Sequence, residues 1–255
     1  MLYRFHRPNS QVSHYIFGTL HLSTDAAYAH ALKARNYMMQ TSAYIAEMDL
    51  SSDKSPLAKY MMLPEGEKNS DHWGEKKFNK YKHISKKAFG INLAEMDVMI
   101  PFYIQNRITE AVVHNKYHQP LDYYLWLEAT MLEKELLGLE TLEEQIQILN
   151  QIPLDYQYKM LQNTFKNTKS FRKNILRIET LYRKSQTDEL FRTTKKTIGR
   201  IRKMMLYDRN IIMAERIDSL CQSQSIFVSV GAAHLSGNKG VIALLSRQGY
   251  KFQAV

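Results

Sequence analysis

The chain has 255 residues, 44% of them apolar and 24% charged, a balance that excludes disordered and collagen-like classes. Its formal net charge is +10, from 35 Lys and Arg against 25 Asp and Glu, and its length fits one large domain or two small ones with a sizeable core. Cys221 is the single cysteine, which excludes an intrachain disulfide and argues against a cysteine-based zinc site.

LYRFH (2–6) and HYIFGT (14–19) are short, aromatic and β-branched, and the Pro8-Asn9-Ser10 turn between them predicts a hairpin. Ser23-Thr24-Asp25 offers N-cap residues before AAYAHALKARNYMMQ, which predicts a helix. SAYIAEMDL (42–50) reads as a strand ending in acids. Residues 51–75, with Pro56, Pro64, Gly66 and Gly74, read as a loop with short helical turns. Helical patterns fill 76–133, punctuated by Gly90, Pro101 and Pro120, and Lys134 to Leu139 reads as a short strand. Thr141 and Glu144 fit a capping box opening a helix at 142. Pro153 starts a further helical region running to about 222. SIFVSV (225–230) is a buried strand ended by Gly231, GNKGVIALLSRQG (237–249) an amphipathic helix, and YKFQAV (250–255) a closing strand.

Two parts of this order echo each other. YIFGTLHL leads into a helix and the strand YIAEMD; FVSVGAAHL leads into a helix and the strand YKFQAV. Each reads strand, Gly-x-x-His, helix, strand, a β-α-β unit that implies parallel pairing and a right-handed crossover. The expected fold is α/β: a central mixed sheet of two pseudo-symmetric halves. It forms a single domain over 1–255, with a large helical insertion over 51–222.

Ligands of open α/β sheets gather outside the carboxyl ends of the strands. The residues expected there are His21, Glu47 (with Asp49 beside it), Glu140 and His234. Gly18 and Gly231 each precede a histidine by three. Imidazole and carboxylate donors suit a first-row divalent metal such as Mn, Co or Zn, and such an ion makes a nucleophilic hydroxide near neutral pH. A metal-free imidazole base oriented by a carboxylate is the alternative. Blander roles exist for each: a hydrogen-bonded rim for the histidines, a solvated face for Glu47, favourable placement at the next helix's N-terminus for Glu140. Asp208 is a candidate N-cap that places Arg209 and Asn210 on a helix's first turn, where Arg209 could bind a substrate carboxylate or an oxyanion, or form a salt bridge. No P-loop, GxGxxG, HExxH or GxSxG occurs, and His6, His14, His30, His72, His83, His114 and His118 form no usable pairing.

The positive charge is concentrated. Residues 159–206 carry 14 Lys and Arg against three acids, and Lys76 to Lys87 holds six lysines and no acid. That asymmetry admits a nucleic-acid surface. No nucleic-acid motif accompanies it, and a solvated helical face accounts for it, so nucleic acid is not the expected partner. No run approaches 18 apolar residues, so no spanning helix is expected. MLYRFHRPNSQ shows no secretion signal, which predicts a cytoplasmic chain if it is full length, or an exported one with its signal removed.

YIFGTLHLS (15–23), the strand with Glu47, LLGLETLEEQ (136–145), YDRNIIMAERI (207–217) and VGAAHLSGNKGVIALLSRQGYKF (230–252) together resemble the TraB/GumN family, which includes the TraB, PrgY and Tiki-like proteins. The resemblance runs nearly end to end. It implies a fold related to the erythromycin-esterase and ChaN-like proteins, with a site between two halves. It also implies a metal-dependent peptidase activity, as for Tiki-like members. His21 and His234 match the GxxH histidines, Glu47 the first acidic position, Glu140 the acid of the Leu-Glu-Thr motif, and Arg209 and Asn210 the Arg-Asn pair. The expected function is therefore a metal-dependent hydrolase, foremost a peptidase, with a peptide or small-molecule substrate. Its metal is held by His21, His234 and Glu140, with Glu47, Arg209 and Asn210 as catalytic groups; either or both of Glu140 and Glu47 can ligate, and the free carboxylate then shuttles the proton. A non-catalytic binder of peptide or haem in the same cleft is the alternative, and nucleic-acid binding the third.

Overall fold

The computed structural model describes residues 1–51, 57–113 and 116–255. Pro56 and His114, named above, lie outside the described residues. In chain order the elements are β1 (Leu2–His6), β2 (His14–Thr19), α1 (Asp25–Tyr28), α2 (Ala31–Met38), β3 (Ala43–Met48), α3 (Leu57–Tyr60), α4 (Asn69–Trp73), α5 (Glu75–Phe89), α6 (Pro101–Val112), α7 (Leu121–Met131), β4 (Glu135–Glu140), α8 (Leu142–Asn150), α9 (Leu154–Lys166), α10 (Thr168–Arg183), α11 (Thr187–Ile198), α12 (Arg209–Leu220), β5 (Ile226–Gly231), α13 (Val241–Arg247) and β6 (Lys251–Ala254). Among the described residues, no helix is long and apolar enough to cross a membrane.

The chain divides into two compact units. One comprises Met1–Ser52, Asn115–Gln145 and Ile178–Val255; the other comprises Asp53–His114 and Ile146–Arg177. The helical stretch expected as one insertion over 51–222 is thus shared between them.

The first unit holds a mixed six-stranded sheet in the order β4-β3-β5-β2-β1-β6. β4, β3, β5 and β2 run parallel, while β1 pairs antiparallel with both β2 and β6. The two β-α-β runs do not pair internally as expected. β5 inserts between β2 and β3, and β6 takes the far side of β1, so both C-terminal strands lie against N-terminal ones. Every residue of β2 and β5 is buried, as strands covered on both faces must be. Alternation sends Ile16, Ile45 and Val228 into a core shared with Met213, Ala214 and Ile217 of α12 and Leu245 of α13. Their neighbours Phe17, Tyr44 and Phe227 face the other way and meet in ring contacts, with Trp126 of α7 edge-on to Tyr44 at 6.2 Å between ring centroids.

Local capping fixes the starts of α1 and α8. Thr24 Oγ accepts from the Ala27 amide to cap α1, but the expected single helix breaks before α2 at Ala29–His30, where the His30 ring contacts Ser185 Oγ at 3.2 Å. Thr141 and Glu144 form the capping box reciprocally: the Thr141 amide donates to Glu144 (2.9 Å) and the Glu144 amide to Thr141 Oγ (3.2 Å).

His14 sits fully buried at the start of β2. Its Nδ1 accepts from the Ile226 amide at 3.4 Å, and its Nε2 has no protein partner. Burial, helped by the charges of His6 and Arg7, pushes its pKa down to about 4. The unfolded chain takes up this proton near pH 6.5, and the folded chain refuses it until about 4. His14 therefore draws stability down as pH falls through that window and adds no slope above it. Urea unfolding at pH 7 and pH 4.5 should show a smaller loss for His14→Phe than for the wild type; equal losses would mean that the folded protein protonates His14.

The second unit is helical. Trp73, Tyr81 and Phe165 form its aromatic centre, and the Asn69 amide nitrogen donates to the carbonyls of Asp97 (2.7 Å) and Met99 (2.9 Å). On α5, Phe78, Tyr81 and Phe89 are buried while Lys76, Lys80 and Lys87 are exposed, so that lysine run forms a solvated helix face. A cavity of about 780 Å³, lined by residues such as Met62, Leu63, Val98 and Ile152, carries none of the candidate site residues.

Candidate functional site

The carboxyl ends of the four parallel strands lie along one edge in the order β4, β3, β5, β2. They present Glu140, Glu47, Gly231 followed by His234, and Thr19 followed by His21. Sequence positions more than 200 apart thus become neighbours, with carboxylates at one end of the row and imidazoles at the other.

Glu47 is the shared member. Its Oε2 lies 3.8 Å from His21 Nε2 and its Oε1 3.8 Å from His234 Nε2. The Gly231 amide donates to Oε2 at 2.7 Å, and Arg209 Nη2 donates to Oε1 at 2.5 Å. Burial works to raise the pKa of Glu47, but His234, Arg209, His21 and the Gly231 amide outweigh it and hold the carboxyl well below the usual range.

Both histidines have their Nδ1 taken. His234 Nδ1 stands 2.6 Å from Asn210 Oδ1, while Asn210 Nδ2 donates to the Lys239 carbonyl at 2.7 Å. That second bond fixes the amide so that its oxygen faces His234. His234 Nδ1 is therefore the donor, and the lone pair of the neutral ring is at Nε2. Burial pushes the pKa of His234 down to about 4, so the ring is neutral at pH 7. His21 Nδ1 stands 2.8 Å from Asp122 Oδ2, an acceptor only, so this nitrogen too carries a proton and Nε2 faces Glu47. Asp122 raises the pKa of His21 to about 9. The two side chains differ in exposure: 58% for His21 and 5% for His234.

Arg209 is buried and spans both acids. Its Nε and Nη2 donate to the two oxygens of Glu140 at 2.8 and 2.6 Å, and its Nη1 donates to the Met205 carbonyl at 3.3 Å. Gln145 also donates to Glu140 Oε2, at 3.0 Å. The structure thus places Glu140 with Arg209 and Gln145, and Arg209 between two carboxylates. The helix does not begin at an Asp208 cap as expected. Asp208 has helical dihedrals and no capping bond, because a π-helical segment, Lys203–Asp208, runs straight into α12. Such wide turns occur at functional sites, where they re-aim side chains.

Asp122, absent from the sequence reading, is the chief addition. It lies in the first turn of α7, where an acid has an ordinary reason to be, and its partners Thr19 and His21 are about a hundred residues away.

The donor chemistry fits a divalent cation: the Nε2 lone pair of neutral His234, the Nε2 of His21, whose proton a metal must displace, and an anionic carboxylate, each backed by an outer hydrogen bond. The space fits as well. A Cβ built on Gly231 would lie 3.0 Å from His21 Nε2 and 3.3 Å from Glu47 Oε2. As the side chains lie, no three His, Cys, Asp or Glu among the described residues form a metal-holding group. Neighbouring ligands on bonds of about 2.1 Å stand about 3.0–3.4 Å apart, so closing the 3.8 Å separations needs a shift of roughly half an ångström.

The TraB/PrgY/gumN family model matches residues 1–254. Among curated proteins, the chain is 23% identical to Metalloprotease TIKI2 of Danio rerio over 311 aligned positions, covering 99% of this chain and 60% of that protein. It is 26% identical to Metalloprotease TIKI1 of Danio rerio over 58% of this chain and 36% of that protein, and 23% identical to Metalloprotease TIKI2 of Xenopus tropicalis over 94% and 57%. The chain thus spans about 60% or less of the length of these relatives. With the family match running from end to end and the GxxH histidines drawn to one carboxylate, the chain belongs to the TraB/PrgY/gumN family.

Proposed function

We propose that the chain is a metal-dependent peptidase whose divalent cation is held by His21 Nε2, His234 Nε2 and a Glu47 oxygen. The observation that carries this reading is the arrangement of the two imidazoles: each has Nδ1 committed to an acceptor and Nε2 turned to the same carboxylate. The names of the relatives supply the substrate class.

The cation would act as a Lewis acid, polarising a peptide carbonyl and lowering the pKa of a bound water. The protein residues prepare the place. Arg209 and the Gly231 amide orient Glu47 and keep it anionic. Glu140, held by Gln145, fixes Arg209 in turn, so on this reading Glu140 serves the arginine rather than the metal. Arg209 is likewise a positioning residue, with its fork occupied by carboxylates rather than free for substrate. Asn210 holds the tautomer of His234. Of the two histidines, the exposed His21 is the one open to substrate.

Metal analysis of untagged protein, followed by peptide cleavage with and without chelator in Mn, Co or Zn, tests the reading. Metal uptake with chelator-sensitive cleavage is expected; cleavage indifferent to chelator would overturn the metal mechanism. No turnover across a broad peptide panel, despite metal uptake, would favour the binder.

Gly231→Ala is a sharper probe. Gly231 has φ −52° and ψ 133°, dihedrals open to any residue, so the backbone tolerates alanine. The new methyl would occupy the space between His21 Nε2 and Glu47 Oε2. Metal uptake by calorimetry should fall more than about tenfold, or about 1.4 kcal/mol, while the thermal unfolding curve stays cooperative. Undiminished uptake would place the metal elsewhere.

A further inference from the structure

The two site histidines are tethered by chemically different partners. His234 is buried and bonded to a neutral amide; His21 is more than half exposed and bonded to a carboxylate. Burial explains the first choice: packing already fixes the His234 rotamer, and an amide adds no further charge to a buried place. Exposure explains the second: an imidazole open to solvent has little packing to hold it, so a charge-assisted bond must do so.

We propose that Asp122 is a positioning residue of the metal site, holding the exposed His21 with Nδ1 protonated and Nε2 turned to Glu47. The proposal rests on the metallopeptidase reading for its purpose, though not for its geometry. Asp122 is well built for this role. Thr19 Oγ1 donates to its Oδ1, which leaves Oδ2 to His21 at 2.8 Å. It occupies the first turn of α7, an 11-residue helix whose positive end favours an anion. Thr19 ends β2, so the Thr19–Asp122 bond ties the helix start to the strand that delivers His21.

The test combines a readout without metal and one with it. In metal-free, ¹⁵N-histidine-labelled protein, a slowly exchanging Nδ1–H resonance, assigned by its loss in His21→Ala, is expected in the wild type and absent in Asp122→Ala. Titration with Zn or Mn should then show Asp122→Ala binding about 10–100-fold more weakly, the usual effect of removing an outer partner. Asp122→Asn is nearly isosteric and keeps an acceptor oxygen, as Asn210 already provides for His234. It should retain the resonance and bind metal about tenfold more weakly, which keeps the proposal testable if the alanine variant fails to fold. A wild type without the Nδ1–H signal would overturn the proposal, as would an Asp122→Ala or Asp122→Asn variant with unchanged metal affinity. Wild-type protein that takes up none of Mn, Co and Zn would instead sink the metallopeptidase reading, while the metal-free spectrum still decides whether Asp122 holds His21.

Discussion

Alanine at His21, Glu47 or His234 is expected to abolish peptide cleavage, each lowering kcat/KM by about 10³-fold or more. On the proposed reading the three side chains hold one cation and act as a unit, so a double variant should be scarcely worse than either single one. The stability losses should follow a different order, because burial differs. His21 is largely exposed, and its removal leaves Asp122 still bonded to Thr19, so little stability is lost. Glu47 removal leaves Arg209 with its two bonds to Glu140, but strands the Gly231 amide. His234 removal empties a buried position and leaves the Asn210 oxygen without its donor, at about 1–3 kcal/mol. Equal loss of activity with unequal loss of stability marks a functional set rather than three structural contacts. Cleavage at the wild-type rate in His21→Ala or His234→Ala would remove the mechanism altogether, as would activity that simply tracks the fraction folded. Metal content measured alongside separates loss of the ion from loss of chemistry.

The parts of this arrangement that local sequence could reveal were those set by local physics. HYIFGT and SIFVSV read as strands because a strand covered on both faces must be apolar throughout, and β2 and β5 are buried at every position. His21, Glu47, Glu140 and His234 stand out because they follow or end such strands, and parallel strands bring their carboxyl ends to one edge. What stayed hidden depends on the order of strands and on long-range partners. Nothing in the β2-to-β3 run says that β5 will insert between them, since the inserted strand comes from far later in the chain. Asp122 looks like an ordinary first-turn acid until Thr19 and His21 are brought to it. Arg209 was legible as a residue on a helical turn facing the sheet; that its fork would be shared by two carboxylates was not. The π-helical segment that aims it leaves no mark in residue spacing.

Arg209→Met should be the most destabilising single change at the site, by about 3–5 kcal/mol, because it strips the cation from buried carboxylates. The Glu140 side chain is 2% exposed and that of Glu47 12%, so water cannot take the place of the lost guanidinium. Arg209→Lys should lie between the wild type and Arg209→Met. It keeps the charge but loses the planar fork that reaches both oxygens of Glu140, Glu47 Oε1 and the Met205 carbonyl together. Acidity provides an internal check. In the wild type, the depressed pKa of Glu47 contributes stability that is present above the unfolded carboxyl value and lost as pH falls toward the folded one. In Arg209→Met, buried carboxylates lacking a partner are relieved by protonation, so the gap between variant and wild type should narrow from pH 7 to pH 5. Urea unfolding of both proteins at the two pH values measures this. A second variant, Arg209→Met with Glu140→Leu, removes the cation together with its most buried partner. It should recover a large part of the loss, because replacing a buried ion pair with apolar groups is commonly near neutral. Recovery of stability without recovery of metal binding would separate what this ion-pair network does for the fold from what it does for Glu47. A deficit below about 1 kcal/mol in Arg209→Met would mean that the carboxylates find other partners and that Arg209 does not hold the site together.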